Sequence, residues 1–153
     1  MRHTAIRIFI DGDACPVKDE TIRVASRYNL SVTLVSNQGM RPLKLPNVTQ
    51  IVVGAKFDAA DDWIVEQAGI GDIVVTNDIL LASRCLVKNC KALNPAGHIF
   101  TGQNIGATLA MHELNAHLRE TGESKGYNAS FSQKDRSQFL QSLDLLIQKS
   151  VQK

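Results

Sequence analysis

The 153 residues hold 17 Lys and Arg against 15 Asp and Glu, a formal charge of +2, with 44% hydrophobic residues. That length is enough for one domain with a substantial core and no staple, and so small a charge neither requires nor excludes a nucleic-acid partner. Cys15, Cys85 and Cys90 lack C-x-x-C spacing, which argues against a disulfide framework or zinc ribbon and for a reducing cytoplasm, and no apolar run suits a signal peptide or a membrane span.

Ile6, Ile8, Phe9 and Ile10 form a short β-favouring run that stops at Asp11 and turns over Gly12. Asp13 stands where a helix N-cap belongs, with Pro16 in the first turn, so Asp11 is expected at the carboxyl end of a buried strand. Val17, Ile22, Val24 and Ala25 supply the inner face of a first helix that exits at Tyr28-Asn29. A second strand over 31–35 runs into Asn37-Gln38-Gly39 and a basic, proline-stiffened loop. A third strand, 48–53, is closed by Gly54.

Asp58 opens a second helix that carries Trp63 and Ile64 and stops at Gly69. A fourth strand, 73–75, ends in Thr76-Asn77-Asp78, and a third helix is expected within 79–93. Turn chemistry at Asn94-Pro95-Ala96-Gly97 precedes a short fifth strand, 98–100. Over 103–119, Ala107, Met111, Leu114 and Leu118 share one helical face. The polar stretch at about 121–131 is expected to be a mobile loop. Helical spacing resumes over 132–151 through Phe139, Leu143, Leu146 and Ile147. Strands alternating with helices predict a single domain over 1–153, a three-layer α/β/α fold with a mostly parallel sheet.

Two strands, the first and the fourth, run into aspartate. If the sheet grows outward in both directions from its first strand, these two are neighbours, and Asp11 and Asp78 meet at the switch point. Asp58 and Asp62, one helical turn apart with Asp61 beside them, start at the same end of the sheet. Converging carboxylates raise one another's pKa unless a cation lies among them. Oxygen ligands at such density suit magnesium or manganese, and such a centre can hydrolyse a phosphodiester. Asp11, Asp58, Asp62 and Asp78 are therefore the expected catalytic acids, with Asp61 as a further metal ligand. Capping is the competing role for Asp13 and Asp58, and a helix-dipole role for Asp61. Asp11 and Asp78 are not needed to end a strand, which favours function for them.

Asp13, Lys18, Asn37, Thr76, Asn77, Arg84 and Arg136 are the expected substrate-binding residues. Each basic member competes with a plain reading, a solvated Lys18 or a surface Arg84–Lys88 pair. Ser132 and Asp135 fit a capping box. Cys15 beside Pro16 reads as a small first-turn residue or a reactive thiol, and His112 and His117, five apart, do not share the face a zinc-protease helix needs. A second enzyme reading takes Asp11 as the nucleophile and Asp13 as the acid/base of a haloacid-dehalogenase-like phosphatase, with Thr76 as its second motif. That reading lacks a later strand followed by lysine and paired aspartates.

The phrases Asp11-Gly12-Asp13-Ala14-Cys15-Pro16-Val17-Lys18, Phe57-Asp58-Ala59-Ala60-Asp61-Asp62-Trp63-Ile64 and Val75-Thr76-Asn77-Asp78-Ile79-Leu80-Leu81-Ala82 resemble signatures of the YaiI/YqxD family of bacterial proteins. Asn94-Pro95-Ala96-Gly97 and Asp135-Arg136-Ser137, with Phe139 and Leu143-Asp144, match it as well. That family in turn is similar to PIN-like and NYN nucleases, and the resemblance implies a PIN-like fold. It also implies metal-holding roles for Asp11, Asp58 and Asp78, Asp62 or Asp61 as fourth acid, Mg or Mn as cofactor and RNA as substrate. Ile79 and Leu80 follow Asp78 where active nucleases place another acid, so a non-catalytic nucleic-acid or nucleotide-binding module is the alternative. A homo-oligomer is left open.

Overall fold

In the computed structural model, residues 6–12, 16–37, 42–54, 59–111, 114 and 131–151 are described. Strands β1 (Arg7–Asp11), β2 (Ser31–Ser36), β3 (Val48–Val52), β4 (Ile73–Val75), β5 (Lys91–Leu93) and β6 (Ile99–Phe100) form one sheet in the order β3-β2-β1-β4-β5-β6. The first four pairings are parallel and only β6 runs antiparallel. β1 lies between β2 and β4, as the outward-growing sheet requires, so the switch point falls between β1 and β4.

Alternation along the strands splits the core in two. Ile8, Ile10, Val32, Leu34, Ile73 and Val75 face α1 (Lys18–Arg27) and the last helix, which follows the helix at 105–111 (α4) and is therefore α5 (Gln133–Val151). Phe9, Val35 and Val74 face α2 (Ala59–Gln67) and α3 (Ile79–Val87). Ala92 and Phe100 continue the second layer against Ala82 and Ile105. Helices cover both faces, the expected three-layer α/β/α arrangement with a mostly parallel sheet.

The chain departs from its sequence reading at four places. α3 lies within the expected 79–93 and stops at Val87, because Asn89 turns left-handed at φ 66° and the N–H of Cys90 reaches back 3.1 Å to the carbonyl of Cys85. Lys91–Leu93 is thereby released to pair with β4, which makes six strands instead of five. α1 starts at Lys18, with Val17 as N-cap and Pro16 in the turn before it, so Pro16 is not in the first turn; Asp13 lies outside the described residues. In α4, Ile105 packs on the core while Ala107, Met111 and Leu114 are exposed, so their common face is not the buried one; Leu118 lies outside the described residues, as does the loop over 121–130. Asp78, read as not needed to end a strand, has a structural role of another kind as the N-cap of α3.

α5 follows its pattern: Phe139, Leu143 and Ile147 are fully buried. Ser132 and Asp135 close the predicted capping box, Ser132 N–H donating to Asp135 Oδ2 at 3.0 Å and Asp135 N–H to Ser132 Oγ at 3.1 Å. No helix among the described residues is long and apolar enough to cross a membrane.

Candidate functional site

Five parallel strands end at one side of the sheet, and the segments that follow β1, β3 and β4 carry the candidate acids. Asp11 is the last residue of β1, half-buried and in register with Val35 of β2. The chain then turns hard over β2: Gly12 N–H donates to Val35 O at 2.7 Å, and a Cβ on Gly12 would lie 2.9 Å from that same oxygen. No other residue allows this approach without a shift in β2.

Thr76 links the two strand ends. It is 1% exposed, and its hydroxyl donates to Asp11 Oδ2 at 2.9 Å while accepting the Asp78 N–H at 2.9 Å. Asp78 Oδ1 accepts from Leu80 N–H at 2.9 Å and Leu81 N–H at 3.2 Å. Those bonds fix the carboxylate at the positive end of α3 and leave Oδ2 without a bond among the described residues. Asp11 and Asp78 are thus joined through one buried hydroxyl.

The other expected acids divide. Asp61 and Asp62 lie in the first turn of α2, and Asp62 is exposed and paired with Arg84 of α3, Nη1 to Oδ1 at 3.0 Å. Asp13 and Asp58 lie outside the described residues. Among the described residues, no three His, Cys, Asp or Glu side chains are gathered closely enough to hold a metal ion. What is described is one buried hydroxyl holding the Asp11 carboxylate and the Asp78 backbone N–H, with the Asp78 carboxylate bonded to the first turn of α3.

The expected substrate cations are mostly occupied. Arg84 holds Asp62. Lys88, read only as the surface neighbour of Arg84, donates to the carbonyl of Val65 and, at 3.5 Å, to that of Glu66, closing the end of α2. Arg136 lies 2.6 Å by its Nε from Glu20 Oε2 and 5.2 Å from the centre of the Phe131 ring. Its N–H does not point at that oxygen, so the contact is an ion pair and not an aligned hydrogen bond. It ties α5 to α1. Lys18, half-buried at the start of α1, has no partner among the described residues, and Asn77 is exposed between Thr76 and Asp78.

Asn37, just beyond β2, carries a buried Oδ1 with no hydrogen-bond partner. An orphaned neutral oxygen acceptor is costly unless water or a bound group supplies a donor or a cation. Asn37 follows β2, the strand beside β1, so it stands at the same end of the sheet as Asp11, Thr76 and Asp78, and the oxygens described there are of the kind magnesium or manganese takes.

Sequence reasoning missed Asp72 and His98. Asp72 is 4% exposed and binds Arg7 at 2.8 Å, but it precedes β4 and so lies at the opposite end of the sheet. Its role is to hold β1 to the start of β4. His98 follows the Asn94–Gly97 turn at the carboxyl end of β5, exposed, its ring 5.0 Å from Phe100 at 77°. Its position just after a turn at the rim was the available signal.

A family model described as "Uncharacterized BCR, YaiI/YqxD family" matches residues 9–149. Among curated bacterial relatives, a UPF0178 protein of Agrobacterium fabrum is 55% identical over 138 residues, 90% of each chain. A UPF0178 protein of Rhizobium etli is 54% identical over 94% of this chain and 92% of its own length. One of Parvibaculum lavamentivorans is 55% identical over 92% and 93%. No solved structure matches the chain.

Proposed function

The chain belongs to the YaiI/YqxD family, and from that premise we propose that it is a magnesium- or manganese-dependent nuclease of PIN-like kind that hydrolyses phosphodiester bonds, with RNA as substrate. One observation carries the reading: Asp11 at the end of β1 and Asp78, just past the end of the adjacent β4, meet at the Thr76 hydroxyl, Asp11 by its carboxylate and Asp78 by its backbone N–H. A hydroxyl that holds the Asp11 carboxylate while accepting the backbone N–H of Asp78 is not needed to hold a sheet whose ladders already pair. It is what orients a ligand oxygen.

Asp11 and Asp78, with Asp58 and Asp61 or Asp62 from the α2 side, would hold the metal. When bound, it polarises a phosphate oxygen and lowers the pKa of an attacking water. Thr76 orients Asp11, α3 orients Asp78, and Lys18 at the head of α1 is placed to meet a phosphate.

Purified protein should cleave single-stranded or structured RNA with Mn or Mg and lose that activity in Asp11→Asn. Cleavage that persists in Asp11→Asn, or its absence with both metals, overturns the nuclease reading. The second reading, a binding module without catalysis, is favoured by Ile79 and Leu80, which follow Asp78 where the nuclease pattern has an acid. Calorimetry separates them, since a chain that binds neither metal at millimolar concentration leaves only this second reading. The phosphatase reading finds little support: after β6 the described residues form only α4 and α5, with no further strand to carry its lysine and paired aspartates.

A further inference from the structure

A cavity of about 430 Å³ opens between the Asn94–Gly97 turn and α5, lined by Ala96, Gly97, His98, Ile99 and Gln138. Its wall is built firmly. Asn94 Oδ1 accepts from Ala96 N–H at 3.0 Å and His98 N–H at 2.9 Å, and Ser142 of α5 donates to Gly97 O at 2.6 Å. Gly97 sits at φ 91°, and a Cβ there would come within 2.6 Å of the Gln138 backbone, so turn and helix touch main chain to main chain.

The lining decides the ligand class. Among the described residues it holds no Lys or Arg to attract a phosphate and no carboxylate to bind a cation. It offers one aromatic ring, apolar Ala96 and Ile99, and the Gln138 carboxamide, which can donate and accept. Phe100, 3% exposed, fixes the His98 ring, while His98 itself remains exposed. The volume lies within the range of small-molecule sites. A flat, neutral heteroaromatic ring satisfies each of these features, stacking on imidazole and hydrogen-bonding an amide as unpaired bases do on RNA-binding proteins.

We propose that this cavity is a nucleobase subsite. It lies at the carboxyl end of β5, the strand beside β4, and so at the same end of the sheet as Asp11 and Asp78. The assignment of the base to an RNA chain rests on the nuclease reading; the affinity for the ring does not.

The test is an amide-resolved NMR titration of the full chain, without metal, using adenosine and uridine as probes and ribose 5-phosphate as the control. Saturable shifts at 96–99 and Gln138 with the nucleosides, and none with ribose 5-phosphate, are expected. His98→Ala should weaken nucleoside binding at least about fivefold through lost stacking, and Gln138→Leu should reduce discrimination between the two nucleosides. Absent shifts, equal shifts with ribose 5-phosphate, or unchanged affinity in both variants overturn the proposal. Failure of RNA cleavage beside intact nucleoside binding would remove the nuclease reading alone, and the converse result would remove the subsite alone.

Discussion

Asp78 performs two tasks that one substitution separates. Asparagine caps a helix about as well as aspartate but brings no charge. Asp78→Asn should therefore keep the thermal midpoint of the parent while manganese binding, read by calorimetry, is lost; Asp78→Ala should lose both, with about 0.5–2 kcal/mol of stability gone in urea unfolding. Equal loss of stability in the two variants would refute the capping geometry. Thr76 is the next residue to alter. Thr76→Val removes the hydroxyl that orients Asp11, and metal affinity should fall about 10- to 100-fold, as it does when a group behind a ligand is removed. Asp72, equally buried, should leave metal affinity untouched when changed to asparagine, since it sits at the far end of the sheet.

Two helix ends in this chain are built alike. At the end of α1, Leu30 N–H donates to Ala25 O at 2.9 Å with Asn29 at φ 58°, and at the end of α3, Cys90 N–H donates to Cys85 O at 3.1 Å with Asn89 at φ 66°. Each asparagine accepts the left-handed turn that most side chains resist, and each is followed by a strand. The α3 end also encloses Cys85. The neighbouring Cys90 thiol, then burial, push the Cys85 thiol above its ordinary value of 9.0. A raised pKa means this group's share of stability is whole below about pH 9 and lost as pH rises further, because the unfolded thiol ionises first. The same contact lowers the Cys90 thiol, which acts in the opposite sense, so the comparison that isolates Cys85 is Cys90→Ala against Cys85→Ala/Cys90→Ala: burial still raises Cys85 there, and the stability difference in urea should shrink as pH rises past about 9. At the other face of the sheet α5 depends on its apolar stripe. Phe139→Ala, emptying a fully buried site between α5 and the sheet, should cost about 3–5 kcal/mol, measured by chemical unfolding.

The molecule as a whole is one sheet with two helical covers, and the two apolar layers meet across the same strands. Such a structure should unfold in one step. The single tryptophan, Trp63, half-buried on α2 with its ring 6.2 Å from Phe9, reports on one layer, and far-UV circular dichroism reports on both. Coincident urea transitions from the two probes are expected, and a tryptophan transition that precedes the other would divide the chain into separate units.

Local pattern was enough for most of the elements. The β1 run Ile8-Phe9-Ile10, the β4 triplet, the inner face of α1 and the α5 stripe with its Ser132–Asp135 box were legible because each records in its own spacing which side meets the core. β5 was not legible as a strand, since Lys91-Ala92-Leu93 lacks the β-branched residues that mark the equally short Ile73-Val74-Val75; its neighbour β4 makes it one. The Asn89 signal before it was present, repeating the Tyr28-Asn29-Leu30 exit of α1. The neighbouring placement of Asp11 and Asp78 followed from topology, itself read from strand alternation. That Thr76 would join them, that Asp78 would cap α3, and that Arg84, Lys88 and Arg136 would be spent on other helices depended on distances between segments remote in sequence. Periodicity along one segment carries no information about such distances; only the packing of the layers settles them.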